Sequence, residues 1–289
     1  MEGLQQNPER TGAELAAPRF HVLADIAKDM SSAVMFPACF NVSIRLNRLL
    51  NARNASVDRI ASIVADDPLI CGKLVGMANS VVFSPSGGPP VREVNAAIRR
   101  LGLTNVSTVS LGVAISQMSH SVNLAEFDGV ARALWDHSVR TAGACHVIAR
   151  RVTYLNQEDA LLAGLVHDIG AFYMLYRAPQ YEELRRHPES LRYLVVRWHE
   201  SIGESLLGRI GAPDPIAQAV RDHDQDRWIS MHPRTLGDLV HVATRLVGTT
   251  TDHVVPKDAY RVALPDLEPY LKMLPEIGTL SKGLLTTFA

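Results

Sequence analysis

The sequence predicts an all-α fold, a two-lobed helical bundle, on three observations. Apolar residues recur at steps of three and four wherever a pattern is clear. Runs of alternating β-branched residues bounded by turn signals are scarce. Residues 101–125 contain no Asp, Glu, Lys or Arg, as suits a helix buried in a core. A chain of 289 residues is long enough to bury one large core or two smaller ones.

Residues 1–18 are polar, carry Glu2, Glu9 and Glu14, and lack the basic start and apolar centre of a secretory signal. They read as a flexible tail. An N-terminal helical lobe is expected over 19–125. In it Val42, Leu46, Leu49 and Leu50 line one face of a helix over Asn41–Leu50. Ser56 is placed to cap the next helix. Asp67-Pro68 opens a third, because aspartate caps and proline suits the first helical position. Ile70, Leu74, Met77 and Ala78 form its buried stripe. The glycine and proline cluster at residues 84–90 predicts a loop. A helix from Val94 then ends at Gly102 in the C-cap position, and the uncharged helix follows. Thr104, Asn105, Ser107, Thr108, Ser110, Ser116 and Gln117 make that helix too polar to span a membrane.

From residue 126 the character changes, because histidines fall at positions that the helical period turns inward. A second helical lobe is expected over 126–250, with a C-terminal helical extension over 251–289 interrupted by Pro256, Pro265, Pro269 and Pro275. His137 shares a stripe with Leu134, Thr141, Ala144 and Ile148. His167 and Asp168 lie inside residues 160–172, which read as one helix apolar on all sides. His199 lines up with Val196, Gly203 and Leu206, and His223 with Ile216, Ala219 and Val220. Taken singly, each histidine reads as a hydrogen-bonded core residue. As a set they point to one polar centre, since burying an uncompensated polar group costs roughly 2–7 kcal/mol. Neutral imidazoles with a carboxylate are a donor set that suits zinc, iron or manganese.

Composition removes several alternatives. Basic and acidic residues number 29 and 30, so no global field holds nucleic acid or an acidic membrane surface. Cys39, Cys71 and Cys145 are odd in number and widely spaced, which favours reduced thiols in a cytoplasmic compartment. No phosphate-binding glycine loop, dinucleotide fingerprint, nucleophile elbow or zinc-finger spacing occurs.

Gly164-Leu-Val-His-Asp-Ile-Gly170 resembles the signature of the HD superfamily, and Trp135-Asp-His-Ser138 resembles the helix that supplies its first histidine. Phe36-Pro37, Val64-Ala-Asp-Asp-Pro68, Leu74-Val-Gly-Met-Ala-Asn-Ser80 and Ala97-Ile-Arg-Arg-Leu-Gly-Leu103 occur in the order found in the HDOD family, an output domain related to metal-dependent hydrolases. Trp198-His-Glu-Ser-Ile-Gly-Glu-Ser-Leu-Leu207 and Ile216-Ala-Gln-Ala-Val-Arg-Asp-His223 are similar to the same family. The resemblance runs from about Phe20 to Val247.

It implies a bacterial signal-transduction module and a set of metal positions. In active HD phosphohydrolases a first histidine, the His-Asp pair and a late aspartate hold one metal. His137, His167 and Asp168 match the first three, but Thr244 stands at the fourth, and a neutral hydroxyl is a poor ligand. Two-metal relatives that cleave cyclic dinucleotides add histidines matched here by His199 and His223. Asp224 replaces the second histidine of their adjacent pair and is a further candidate ligand, and no Gly-Tyr-Pro follows it. Phosphodiester cleavage needs a metal-activated hydroxide and a clamp on the phosphoryl oxygens. The expectation is therefore a non-catalytic regulatory module that binds a signalling protein or a small signal molecule. No membrane or nucleic-acid partner is expected, and a homo-oligomer is left open. No cofactor is expected beyond a divalent Fe, Mn or Zn ion if the site is filled. The alternative is a metal-dependent phosphohydrolase acting on nucleotides or cyclic dinucleotides.

Overall fold

A computed structural model describes residues 21–26, 28, 37–52, 55–80, 83, 88–121, 124, 127–225, 228–248 and 267–288. The predicted tail, residues 84–87 of the predicted loop, and residues 251–266 lie outside them. Among the described residues the fold is all-α, with no strand. Three short helices, α1 (Asn41–Leu50), α2 (Val57–Val64) and α3 (Pro68–Asn79), follow a 3₁₀ turn. Local chemistry sets their starts. The Ser56 hydroxyl accepts from the Arg59 amide at 3.3 Å, and Asp67 Oδ1 accepts from the Leu69 and Ile70 amides at 2.9 and 3.2 Å. Ile70, Leu74, Met77 and Ala78 are fully buried, as their spacing predicts.

Helix α4 (Val94–Ser119) bends at Gly102, where φ is +77° and a side chain would be strained. That residue ends the first amphipathic segment and redirects the chain into the uncharged one, which is buried along almost its whole length. Its small polar groups face partners. Ser110 and Ser43 hydroxyls meet at 2.6 Å, and the Ser107 hydroxyl donates to Asn47 Oδ1 at 2.8 Å. Thus α4 packs on α1 and α3 and also on the helices that follow. Among the described residues no helix is long and apolar enough to cross a membrane.

The second half comprises α5 (Asp128–Val152), α6 (Gln157–Val166), α7 (Ile169–Arg177), α8 (Glu182–Arg186), α9 (Pro188–Ile210), α10 (Asp214–Asp222) and α11 (Leu236–Val247). Helices α5 and α6 form the most extensive pair, α9 lies on α7, and α11 packs on α5 and α10. After α12 (Glu268–Leu271), α13 (Leu274–Phe288) lays Ile277, Leu280, Leu284 and Phe288 onto α5. The Phe288 ring meets Trp135 edge-on at 5.5 Å, and Glu276 pairs with Arg150 and Arg151. All three cysteines are free, and Cys145 is buried.

Two expectations need correction. Residues 160–172 are not one helix: α6 ends at Val166, the chain turns through His167 and Asp168, and α7 begins at Ile169. Asp168 leaves helical geometry at φ −99°, ψ 15°, which lets its carboxylate turn to the centre. Apolar periodicity continues across the break because both helices are buried on all sides. On α9, Val196 is 38% exposed, so the inward face is Val195, His199, Ile202 and Leu206.

Candidate metal centre

Three helices and one turn converge on a single polar centre. His137 comes from the middle of α5, His167 and Asp168 from the turn between α6 and α7, His199 from α9, and His223 from the C-terminal end of α10. All five are at most 2% exposed. The approach of α9 to the turn is close. A Cβ at Gly170 would run into the His199 carbonyl oxygen, so only glycine lets the two chains meet there.

The histidines divide into two pairs around one carboxylate. His137 Nε2 and His167 Nε2 lie 3.1 Å apart and 3.7 and 3.0 Å from Asp168 Oδ2. On the other oxygen, His199 Nε2 and His223 Nε2 lie 3.3 Å apart and 3.9 and 3.8 Å from Asp168 Oδ1. Backbone carbonyls orient three rings. His167 Nδ1 donates to Gly164 at 2.8 Å, His199 Nδ1 to Val195 at 2.8 Å, and His223 Nδ1 to Val220 at 2.7 Å. A neutral imidazole that spends its proton on Nδ1 presents a lone pair at Nε2. With all three neutral, these lone pairs face a carboxylate and one another, an arrangement that a cation satisfies; without one, a proton on His167 Nε2 serves Asp168 instead.

The electrostatics follow from burial and crowding. Burial alone would raise the Asp168 pKa, but His167, with His137 and His199 behind it, holds it well below the usual carboxylate range. Burial pulls the His167 pKa down, yet the adjoining Asp168 charge outweighs this and the net shift is upward. His223 is pushed well below the ordinary histidine value, first by burial and then by His167 and His199. It is held neutral, the state a metal ligand requires.

Two triads have all their donor atoms within 4.8 Å of one another: His137, His167 and Asp168, and Asp168, His199 and His223. The donor set fits a borderline divalent cation, with two nitrogens and one oxygen on each side of Asp168. Asp224, the sixth candidate, is not in either triad. Its carboxylate accepts from Arg245 at 3.1 Å, and its amide donates to Glu200 at 3.0 Å. The Thr244 hydroxyl is buried and donates to the His241 carbonyl at 2.9 Å. His241 itself escaped the sequence reading. It is 1% exposed and its Nδ1 donates to the His223 carbonyl at 2.9 Å, which ties α11 to the end of α10. The available signal was its place on α11 one turn before Thr244, on the same buried face.

Comparison with known proteins bears on the fold. The HDOD domain model matches residues 36–226. No curated protein matches. Among solved structures, one from Shewanella amazonensis, provisionally named a metal-dependent phosphohydrolase, is 24% identical with a TM-score of 0.62, covering 92% of this chain and 99% of that one. A protein from Marinobacter aquaeolei, provisionally named for signal transduction, is 19% identical with a TM-score of 0.58; the match covers 94% of this chain but 64% of that one. An HDOD domain protein of unknown function from Geobacter sulfurreducens is 18% identical with a TM-score of 0.55, covering 93% and 99%. At these identities the likeness is one of fold.

Proposed function

The chain belongs to the HDOD domain family, and from that premise we propose that it is a non-catalytic regulatory module, built from lobes at 19–125 and 126–250, that binds a signalling protein or a small signal molecule. One observation carries the non-catalytic reading: Thr244 stands where the family resemblance expects the late metal-binding carboxylate, and it commits its hydroxyl to a backbone carbonyl of its own helix. A neutral hydroxyl is a poor ligand for such a cation.

His137, His167 and Asp168, and Asp168, His199 and His223, are the residues that would hold a divalent Fe, Mn or Zn ion. When bound, such an ion would accept the facing lone pairs and tie the helices together. The residues themselves already do part of this: the three Nδ1 donors fix the ring orientations, and Asp168 supplies the counter-charge.

A phosphohydrolase is the second reading. The division of Asp168 between two histidine pairs favours it, because each pair together with that carboxylate would offer three donors to a divalent cation. Elemental analysis of protein purified without chelator, joined to turnover assays with bis(p-nitrophenyl) phosphate and cyclic dinucleotides, separates the two. The regulatory reading expects no turnover with or without added Mn, Fe or Zn. Robust metal-dependent turnover that is lost in Asp168→Asn would establish the hydrolase instead.

A further inference from the structure

Beside the buried centre lies an enclosed ion pair. Asp224 directly follows His223, and Arg245 directly follows Thr244 in the last turn of α11. Arg245 Nη1 donates to Asp224 Oδ1 at 3.1 Å, and the two side chains are 9% and 22% exposed. A pair so enclosed contributes little net stability, because desolvating both charges offsets most of their attraction. The main chain around it is fixed. The Asp224 amide donates to Glu200 Oε1 at 3.0 Å, and His241 Nδ1 holds α11 to the His223 carbonyl at 2.9 Å. The Asp224 carboxylate is held by Arg245 alone among the described residues, so it is the part that can turn.

That carboxylate is already felt in the centre. Burial lowers the His167 pKa, and the charges of Asp168 and, more weakly, Asp224 raise it. The triad of Asp168, His199 and His223 offers three donors, whereas a borderline divalent ion commonly takes four ligands. Asp224 stands one residue beyond that triad with an anionic oxygen, and a guanidinium engages it. A bound ion and Arg245 are both cations in demand of the same group. We propose that Arg245 withholds Asp224 from the centre as a reserve fourth ligand, so that the metal affinity of this chain is set by competition between the bound ion and the Arg245 guanidinium. The inference rests on the reading of the centre as a divalent-cation site.

Competition titration of the full chain, stripped of metal and freed of chelator, with Zn(II) against a chromophoric chelator tests it. Arg245→Met binds zinc about tenfold or more tightly than the parent, because Asp224 is released. Arg245→Gln, which keeps a polar side chain if the methionine disturbs folding, shifts affinity in the same direction. The gain disappears when either change is combined with Asp224→Asn, while Asp224→Asn alone stays within about threefold of the parent. Visible absorption of bound Co(II) separates ligation from a simple change of charge, since it reports the ligand set. It changes in Arg245→Met and reverts in the double variant. Asp168→Asn abolishes binding in every background; zinc retained there at parental affinity refutes the cation site itself and this inference with it. With binding lost in Asp168→Asn, three results overturn the role of Arg245 alone: unchanged affinity in both folded Arg245 variants, a gain that persists without the Asp224 carboxylate, or a Co(II) spectrum identical to the parent's.

Discussion

Replacing His167 by alanine tests the centre most directly. The ring is fully buried, donates from Nδ1 to the Gly164 carbonyl at 2.8 Å, and places Nε2 3.0 Å from Asp168 Oδ2 and 3.1 Å from His137 Nε2. His167→Ala removes the nearest counter-group of a carboxylate that is itself 0% exposed. Taking one partner from a buried charged pair costs about 3–5 kcal/mol, because the other remains in a poorly polarisable interior. At roughly 2–4 °C per kcal/mol for a chain of this size, the melting temperature should fall by roughly 6–20 °C. Differential scanning calorimetry of EDTA-treated protein measures this, and elemental analysis of untreated protein follows metal content. Asp168→Asn is the control: it keeps the shape, removes the charge, and should cost less stability while losing the same metal. A melting temperature within about 2 °C of the parent for His167→Ala, with undiminished metal content, would refute the idea that these residues form one mutually satisfied centre.

Leu74→Ala, at a fully buried position of α3, should cost about 2–5 kcal/mol in urea unfolding; an unchanged midpoint would remove this face from the core. His223 has a folded pKa well below its ordinary value, so the unfolded chain binds the proton first and this residue's share of stability falls as pH drops below about 6.5. His167, raised instead, acts in the opposite sense near the same range, so the measurement is a difference: His223→Gln should flatten the fall in stability from pH 7 to 5 relative to the parent, and an unaltered slope would contradict it. Burial pushes the Cys39 thiol up to about 11 and the Cys145 thiol higher still. Both should resist iodoacetamide at pH 8 in the native protein and react in urea, and rapid native alkylation of Cys145 would show that its site opens. Thr244→Asp should raise divalent-metal affinity in a competition titration, since it restores an anionic oxygen at the position the family resemblance assigns to a ligand; lower stability without tighter binding would show that the position is misaligned.

The sequence by itself determined the helical class and several helix starts, because periodicity and capping act over a few residues. Asp67 before Pro68, Ser56 ahead of its helix, and the inward stripe of His137 with Leu134 and Thr141 all stand where spacing put them. It also marked five members of the centre, since a histidine or aspartate on an apolar face must find a partner in the core. Tertiary structure decided how they meet. The break between α6 and α7 is invisible to hydrophobic pattern, for both segments are buried all round and the period has no polar face to interrupt. The division of Asp168 between two histidine pairs depends on that break and on the close approach of α9 at Gly170. Asp224 next to His223 looked equivalent along the chain, yet it turns to Arg245, a residue 21 positions later. Side-chain direction at a helix end, and the distance between residues far apart in sequence, are set by packing of whole elements, and no local pattern encodes them.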